Sequence, residues 1–356
     1  MVQAGGRRFV SMLASYVAQH EASLVRGKSR LSLSPPCIAY LNRKLPPGAS
    51  PAVLASLSGW EEEGVLPDLE GLVAVLARLT QLNVEPPPGQ GGARPSAPVV
   101  CDLGRFRSLR VLTVQGCAPS CFSGVRTLMP CLVQLSFSRT PLRDPDEALQ
   151  FGGGGDVAEW PSLRVLRLSK VGLRALHSEP TSPHAVAVPS ALARCTQLRT
   201  LDLRGNGLRS MRRANRTLGN LTTLVLRGNL LDCTEGLHKL YSLQQLDLSQ
   251  NRLAAMAEVA RLSQLPQLSR LWLDGNPVST TQHSRAQYRS AVLALWVEAL
   301  PLEAPEAGGA GHRRHASWAA GTCNLERAAE LVQVRPIAAR RASEERRSPD
   351  RASLLL

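Results

Sequence analysis

LRTLDLRGNGL, from Leu198 to Leu208, is the stretch whose reading decides the fold. Leu198, Leu201 and Leu203 are spaced by three residues and then by two, and Asn206 follows three residues later. A helix buries every third or fourth residue and a strand every second, so neither element alone explains the spacing. Copies of the pattern do. LTTLVLRGNLL starts at Leu221, LQQLDLSQNRL at Leu243 and LSRLWLDGNPV at Leu268. Their asparagines, Asn206, Asn229, Asn251 and Asn276, stand 23, 22 and 25 residues apart. Three earlier segments, LRVLTV from Leu109, LVQLSF from Leu132 and LRVLRL from Leu163, keep the leucine spacing without the asparagine.

A period in the low twenties with the pattern LxxLxLxxN is the signature of a leucine-rich repeat. The expected fold is α/β: a solenoid with a parallel sheet on its concave face, short helices and loops on its convex face, and a helical N-terminal cap. In each unit the LxL core is a short strand whose leucines point inward while the residues between them face out. The asparagine stands where the chain leaves the strand and backbone groups would otherwise be buried without partners. A carboxamide both donates and accepts, so stacked asparagines can satisfy a neighbouring repeat's backbone. EGLHKLYSL (235 to 243) has the spacing of a short helix or 3₁₀ turn on the return side. One unit cannot bury its own apolar face, and stability comes from stacking.

Four regions follow. Residues 1–84 read as a helical cap, with an amphipathic helix in RRFVSMLASYVAQHEASLV whose face is Phe9, Leu13, Tyr16, Val17 and His20, and a second helix in 66 to 84. Residues 30 to 45 read as a short extended piece and a turn of helix. Residues 85–100 form a Pro/Gly-rich linker. Residues 101–300 hold the repeats and a closing helix from 285 to 300, carried by Val292, Leu293, Leu295, Trp296 and Leu300. The intervals of 31 and 35 residues between Leu132, Leu163 and Leu198 indicate inserted loops. Residues 301–356 read as a mostly disordered basic tail, with room for a short helix at 324 to 334.

The 356 residues carry a formal charge of +14, and 38 of the 42 basic residues are arginine. No nucleic-acid motif accompanies that charge, and Arg with abundant Ala, Gly and Pro is also a compositional bias, so no specific nucleic-acid partner is expected. The eight cysteines are scattered without a CxxC pair, which points to reduced thiols and a cytoplasmic setting. No run of 18 apolar residues suggests a transmembrane segment.

Catalytic chemistry finds little support. ASLVRGKS (22 to 29) loosely resembles a phosphate loop, which would make Gly27, Lys28 and Ser29 a nucleotide site. That loop needs a strand before it and a helix after it, and here a helix precedes it. His312, His315 and Cys323 lack a fourth partner at metal-binding spacing. No catalytic residue, cofactor or metal is assigned. Ser343 and Ser348, after arginines in RRAS and RRSP, are candidate phosphorylation sites.

What remains is surface recognition. The outward rows of the C-terminal strands offer Arg167, Asp202, Arg204, Val225, Arg227, Asp247, Trp272 and Asp274 as a protein-binding face. Trp and Arg are enriched among interface hot spots. Trp272 is read either as an exposed anchor or as packed beneath the closing helix.

The chain looks like the cytosolic short-repeat class, which includes phosphatase regulators and dynein-light-chain repeat proteins. LSLSPPCIAYLN (31 to 42), FRSLRVLTVQGC (106 to 117), the run 224 to 253 and LSRLWLDGNPV (268 to 278) occur in one order. Together they resemble the serine/threonine-protein kinase 11-interacting protein family, including its shorter plant and algal members, over residues 7 to 300. The resemblance implies a cytoplasmic, non-enzymatic scaffold or adaptor in signalling or trafficking, with a protein partner of the serine/threonine kinase class. A cytoskeletal or ciliary role stands beside it, by likeness to the dynein-associated repeats.

Overall fold

The computed structural model describes residues 2–45, 69–86, 100–150, 159–176, 191–212, 214–279 and 285–298. They fall into two compact units that divide between Asp202 and Leu203.

The first unit begins with helix α1 (Val2–Val25), strand β1 (Leu31–Leu33) and helix α2 (Pro35–Lys44). Helix α3 (Leu69–Arg78) leads directly into β2 (Gln81–Val84). Then come β3 (Cys101–Asp102), β4 (Val111–Gln115), β5 (Phe122–Ser123), β6 (Gln134–Ser138), the short helix α4 (Pro145–Leu149), β7 (Val165–Ser169) and β8 (Thr200–Asp202). Strands β1, β2, β4, β6, β7 and β8 pair in parallel in that order, with Leu82, Leu112, Leu135, Leu166 and Leu201 in register. β3 and β5 form a separate parallel pair.

The sheet therefore starts at Leu31, within the range assigned to a helical cap. LTQLNV (79 to 84) carries the repeat spacing of leucine, leucine and valine, and Leu79, Leu82 and Val84 are all buried. α1 lies against α3 and buries Val10, Leu13, Ala14, Val17 and Leu24. The buried stripe is turned from the expected one: Tyr16 is half-buried and His20 exposed.

α1 ends at the segment that resembled a phosphate loop. Gly27 adopts φ 71°, its N–H donates to Leu24 O at 3.3 Å, and Lys28 N–H donates to Ser23 O at 2.8 Å. This is the left-handed glycine cap that closes a helix C-terminus. The helix dipole there is negative, opposite to the pole that holds phosphate.

The second unit repeats a tighter theme. A turn of helix α5 (Ala214–Thr217) precedes β9 (Thr223–Val225), and β10 (Gln245–Asp247) follows. Helix α6 (Met256–Arg261), β11 (Arg270–Trp272) and helix α7 (Arg285–Glu298) complete it. β9, β10 and β11 are parallel and in register through Leu224, Leu246 and Leu271. The return segment at Leu237–Lys239 is a 3₁₀ turn. Asn229 Nδ2 donates to Leu226 O (2.8 Å) and to Leu203 O of the preceding repeat (3.0 Å), and its Oδ1 accepts from Leu208 N–H at 3.2 Å. Asn251 and Asn276 repeat this set one and two repeats on. Each asparagine is almost fully buried, and the ladder supplies the partners that buried backbone requires. The residue before each asparagine, Gly205, Gly228, Gln250 or Gly275, has φ between 57° and 71°. The chain turns there through a conformation costly to side chains other than glycine.

Candidate protein-interaction surface

The outward face of the second unit is set by strand register. Val225, Asp247 and Trp272 lie side by side on β9, β10 and β11. All three are half-buried. Asp247 is held by its own strand: Oδ1 accepts from Ser249 N–H at 3.0 Å and also from the Ser249 hydroxyl. The next row brings Arg227, Ser249 and Asp274 together. Arg227 Nε donates to Gln250 Oε1 at 3.2 Å, which orients the guanidinium, while Ser249 is fully buried beneath its neighbours. Arg204 is exposed.

Asp274 also faces the closing helix. Tyr288 of α7 is 4% exposed, and burial, reinforced by the Asp274 charge, pushes its phenol up to about 12. Val292 is buried on the same helix, and Leu293 and Leu295 are half-buried. Trp272, half-exposed on the sheet face, is neither buried beneath the helix nor fully open.

In the first unit the corresponding row runs Ser32, Asn83, Thr113, Ser136, Arg167 and Asp202. Arg167 is exposed. Asp202 was expected on the binding face, but it is only 4% exposed and is withdrawn from that surface. Neighbouring strands lie about 4.8 Å apart, so a short carboxylate beside the longer Arg167 is shielded while the arginine reaches solvent.

Two polar residues of the first unit escaped the sequence reading. Arg105, 8% exposed, donates to Leu41 O at 3.2 Å and to Leu45 O at the end of α2. Burial lowers its guanidinium to about 10, against the opposing pull of Asp102. Asn42 Nδ2 donates to Asp102 O at 2.7 Å. The segment 31 to 42 is thus a structural brace: its helix α2 is tied to β3, and its strand β1 pairs with β2. Its spacing gave no sign of Arg105, because a buried cation at a helix C-terminus leaves no periodic pattern.

Among the described residues no group of His, Cys, Asp or Glu is arranged to hold a metal. Ser343, Ser348, His312, His315 and Cys323 lie outside the described residues. The described cysteines are free thiols, and burial pushes Cys101 and Cys195 up to about 12 and Cys117 up to about 11. No described helix is long and apolar enough to cross a membrane.

Residues 196–253, which contain the start of the asparagine ladder, match the family model for the leucine rich repeat. The chain is a leucine-rich-repeat protein and a homologue of the serine/threonine-protein kinase 11-interacting proteins. The human protein of that name is 29% identical over 286 residues, covering 75% of this leucine-rich-repeat chain and 26% of its own length. The chicken protein is 30% identical over 208 residues, covering 51% of this chain and 18% of its own. The chain therefore matches about a quarter or less of these relatives' length. Among solved structures, internalin C2 of Listeria monocytogenes is 16% identical with a TM-score of 0.35, covering 60% of this repeat chain and 81% of its own.

Proposed function

We propose that this chain is a non-catalytic scaffold that binds a protein partner on the sheet face of its second unit. The observation that carries the reading is the side-by-side placement of Val225, Asp247 and Trp272 with Arg227 and Asp274 in the next row. An aromatic half-shielded by apolar and charged neighbours is the composition of an interface centre. Arg204 extends the patch, and Arg167 offers a separate cation in the first unit. The relatives' name, serine/threonine-protein kinase 11-interacting protein, makes that kinase the first partner to test and an adaptor role in cytoplasmic signalling or trafficking the reading in its favour. A dynein- or microtubule-linked role would use the same face with a different partner.

The test is binding of purified serine/threonine kinase 11 to the immobilised full chain, wild type against Arg227→Glu with Trp272→Ala. Circular dichroism melts show whether both fold. Binding lost in a folded double variant supports the face and the partner. Binding that persists removes the face, and a wild type that does not bind removes the kinase. Crosslinking capture from cells, compared between the same two proteins, then identifies whichever partner depends on this face.

A further inference from the structure

The first unit carries a different kind of surface. Between the end of α1 and the strand starts lies a recess of about 470 Å³, lined by Arg26, Arg78, Thr80, Gln81, Ser108 and Arg110. All three arginines are exposed. Among the described residues the carboxylate engaged there is Glu21, which pairs with Arg78 at 3.3 Å and leaves an excess of positive charge. Gln81 is fixed: its Nε2 donates to Gly27 O at 2.7 Å, and its Oε1 accepts from Arg30 Nε at 2.9 Å.

The recess opens onto a column. Thr80, Arg110, Val133, Arg164 and Arg199 each occupy the position just before a strand, joined by backbone bonds. Arg110 N–H donates to Thr80 O, Val133 N–H to Arg110 O, Arg164 N–H to Val133 O and Arg199 N–H to Arg164 O, at 2.8–2.9 Å. The arginines of this column all face solvent. Strand spacing places Arg164 about 10 Å from Arg110 and Arg199 about 5 Å further on. The equivalent column of the second unit is Thr222, Gln244 and Ser269, without a charge. A uniform compositional bias toward arginine would not sort the two columns this way.

We propose that this recess and its arginine column form a second interaction surface, which takes a phosphomonoester carried on an acidic segment of a partner polypeptide. Guanidinium forks match phosphate oxygens two at a time, and the full charges of Arg26, Arg78 and Arg110 exceed the roughly half negative charge at the C-terminal end of α1, so the recess suits a dianion although the helix end alone does not. The Ser108 hydroxyl adds a neutral donor. An extended segment rises about 3.3 Å per residue, so acidic residues following the phosphate reach Arg110 and Arg164 in turn. Single-stranded nucleic acid is disfavoured because no aromatic lines the recess to stack a base. A membrane surface is disfavoured because none of the exposed large apolar residues described, Met12, Val100 and Tyr241, lines it.

The experiment is fluorescence anisotropy with the full chain and a labelled peptide of one phosphoserine followed by glutamates. The comparators are the same peptide unphosphorylated, a labelled single-stranded DNA, and vesicles containing phosphatidylinositol bisphosphate. The phosphopeptide is expected to bind about tenfold or more tighter than its unphosphorylated form. Arg26→Glu with Arg110→Glu should abolish that preference, whereas Arg252→Glu, in the second unit, should leave it unchanged. Arg110→Lys should retain only part of it, because the fork is lost and the charge kept. Equal binding of the two peptides, an unchanged preference in the double reversal with an unaltered melt, or tighter binding to DNA or vesicles would each overturn the proposal.

Discussion

Three residues beyond the last core position of each strand, the second unit carries Asn229, Asn251 and Asn276, and the first carries Cys117, Thr140 and Val171. The turn before that position is left-handed in both, at Gly228, Gln250 and Gly275 in one and Gly116, Arg139 and Lys170 in the other. The backbone path is therefore common, and the means of satisfying it is not. Each asparagine binds two carbonyls and one N–H across two repeats. In their place, Thr140 shares one hydroxyl donor between Cys117 O at 3.1 Å and Ser138 O of its own strand at 3.3 Å, and Val171 brings an apolar side chain. The first unit offsets this with large fully buried aromatics, Phe106, Phe137 and Trp160, the last anchored by Nε1–H to Leu149 O at 3.0 Å. A repeat can lose its polar ladder when apolar packing takes over the same space.

If that contrast holds, the largest effect belongs to Asn251→Ala. It strands Leu231 N–H and takes one of two donors from the carbonyls of Leu226 and Leu248, which keep Asn229 and Asn276, and urea unfolding should show a loss of roughly 2 kcal/mol. A loss below that of Thr140→Val would break the comparison. Next comes pH. The buried thiols Cys101, Cys117 and Cys195 all lie in the first unit, held well above the ordinary thiol value. Their contribution is intact below about pH 9. Above it the unfolded chain releases thiol protons that the native chain keeps, so stability falls as pH rises toward 12. Denaturation series at pH 8 and pH 10 should show the fall, with a shallower slope in Cys195→Ala. Smaller is Thr140→Val, about 1 kcal/mol by the same urea assay, since a single hydroxyl donor shared by two carbonyls is lost and little else. The smallest change has the opposite sign. Lys170→Gly relieves a side chain at φ 55° and should stabilise by about 0.5 kcal/mol, read as a raised urea midpoint.

Much of this architecture can be read from spacing. The asparagine period implies the parallel strands and the ladder, because leucines and carboxamides at fixed offsets have few other uses. Strand β2 was hidden because its LxxLxV follows helix α3 without a turn and precedes the Pro/Gly stretch, so it joins no visible period. The buried face of α1 was misplaced because Phe9, Tyr16 and His20 fit a helical stripe as well as Val10 and Ala14 do; α3 decides between them. On the candidate surface, alternation identified which residues point outward but not how far each reaches. Arg227 and Trp272 remain on view, while Asp202 and Ser249 sink between longer neighbours.

Because each asparagine clasps only its own repeat and the one before it, the second unit has the mechanics of a zipper. Tension applied from its C-terminal end would first part the Asn276 clasp, then Asn251, then Asn229, each rupture transferring load to the next. The clasps stand 22 and 25 residues apart, so each release would lengthen the chain by about 80 Å of contour, in steps of nearly equal size. A scaffold built this way would yield to force in graded increments, with each clasp holding until the one beyond it has opened.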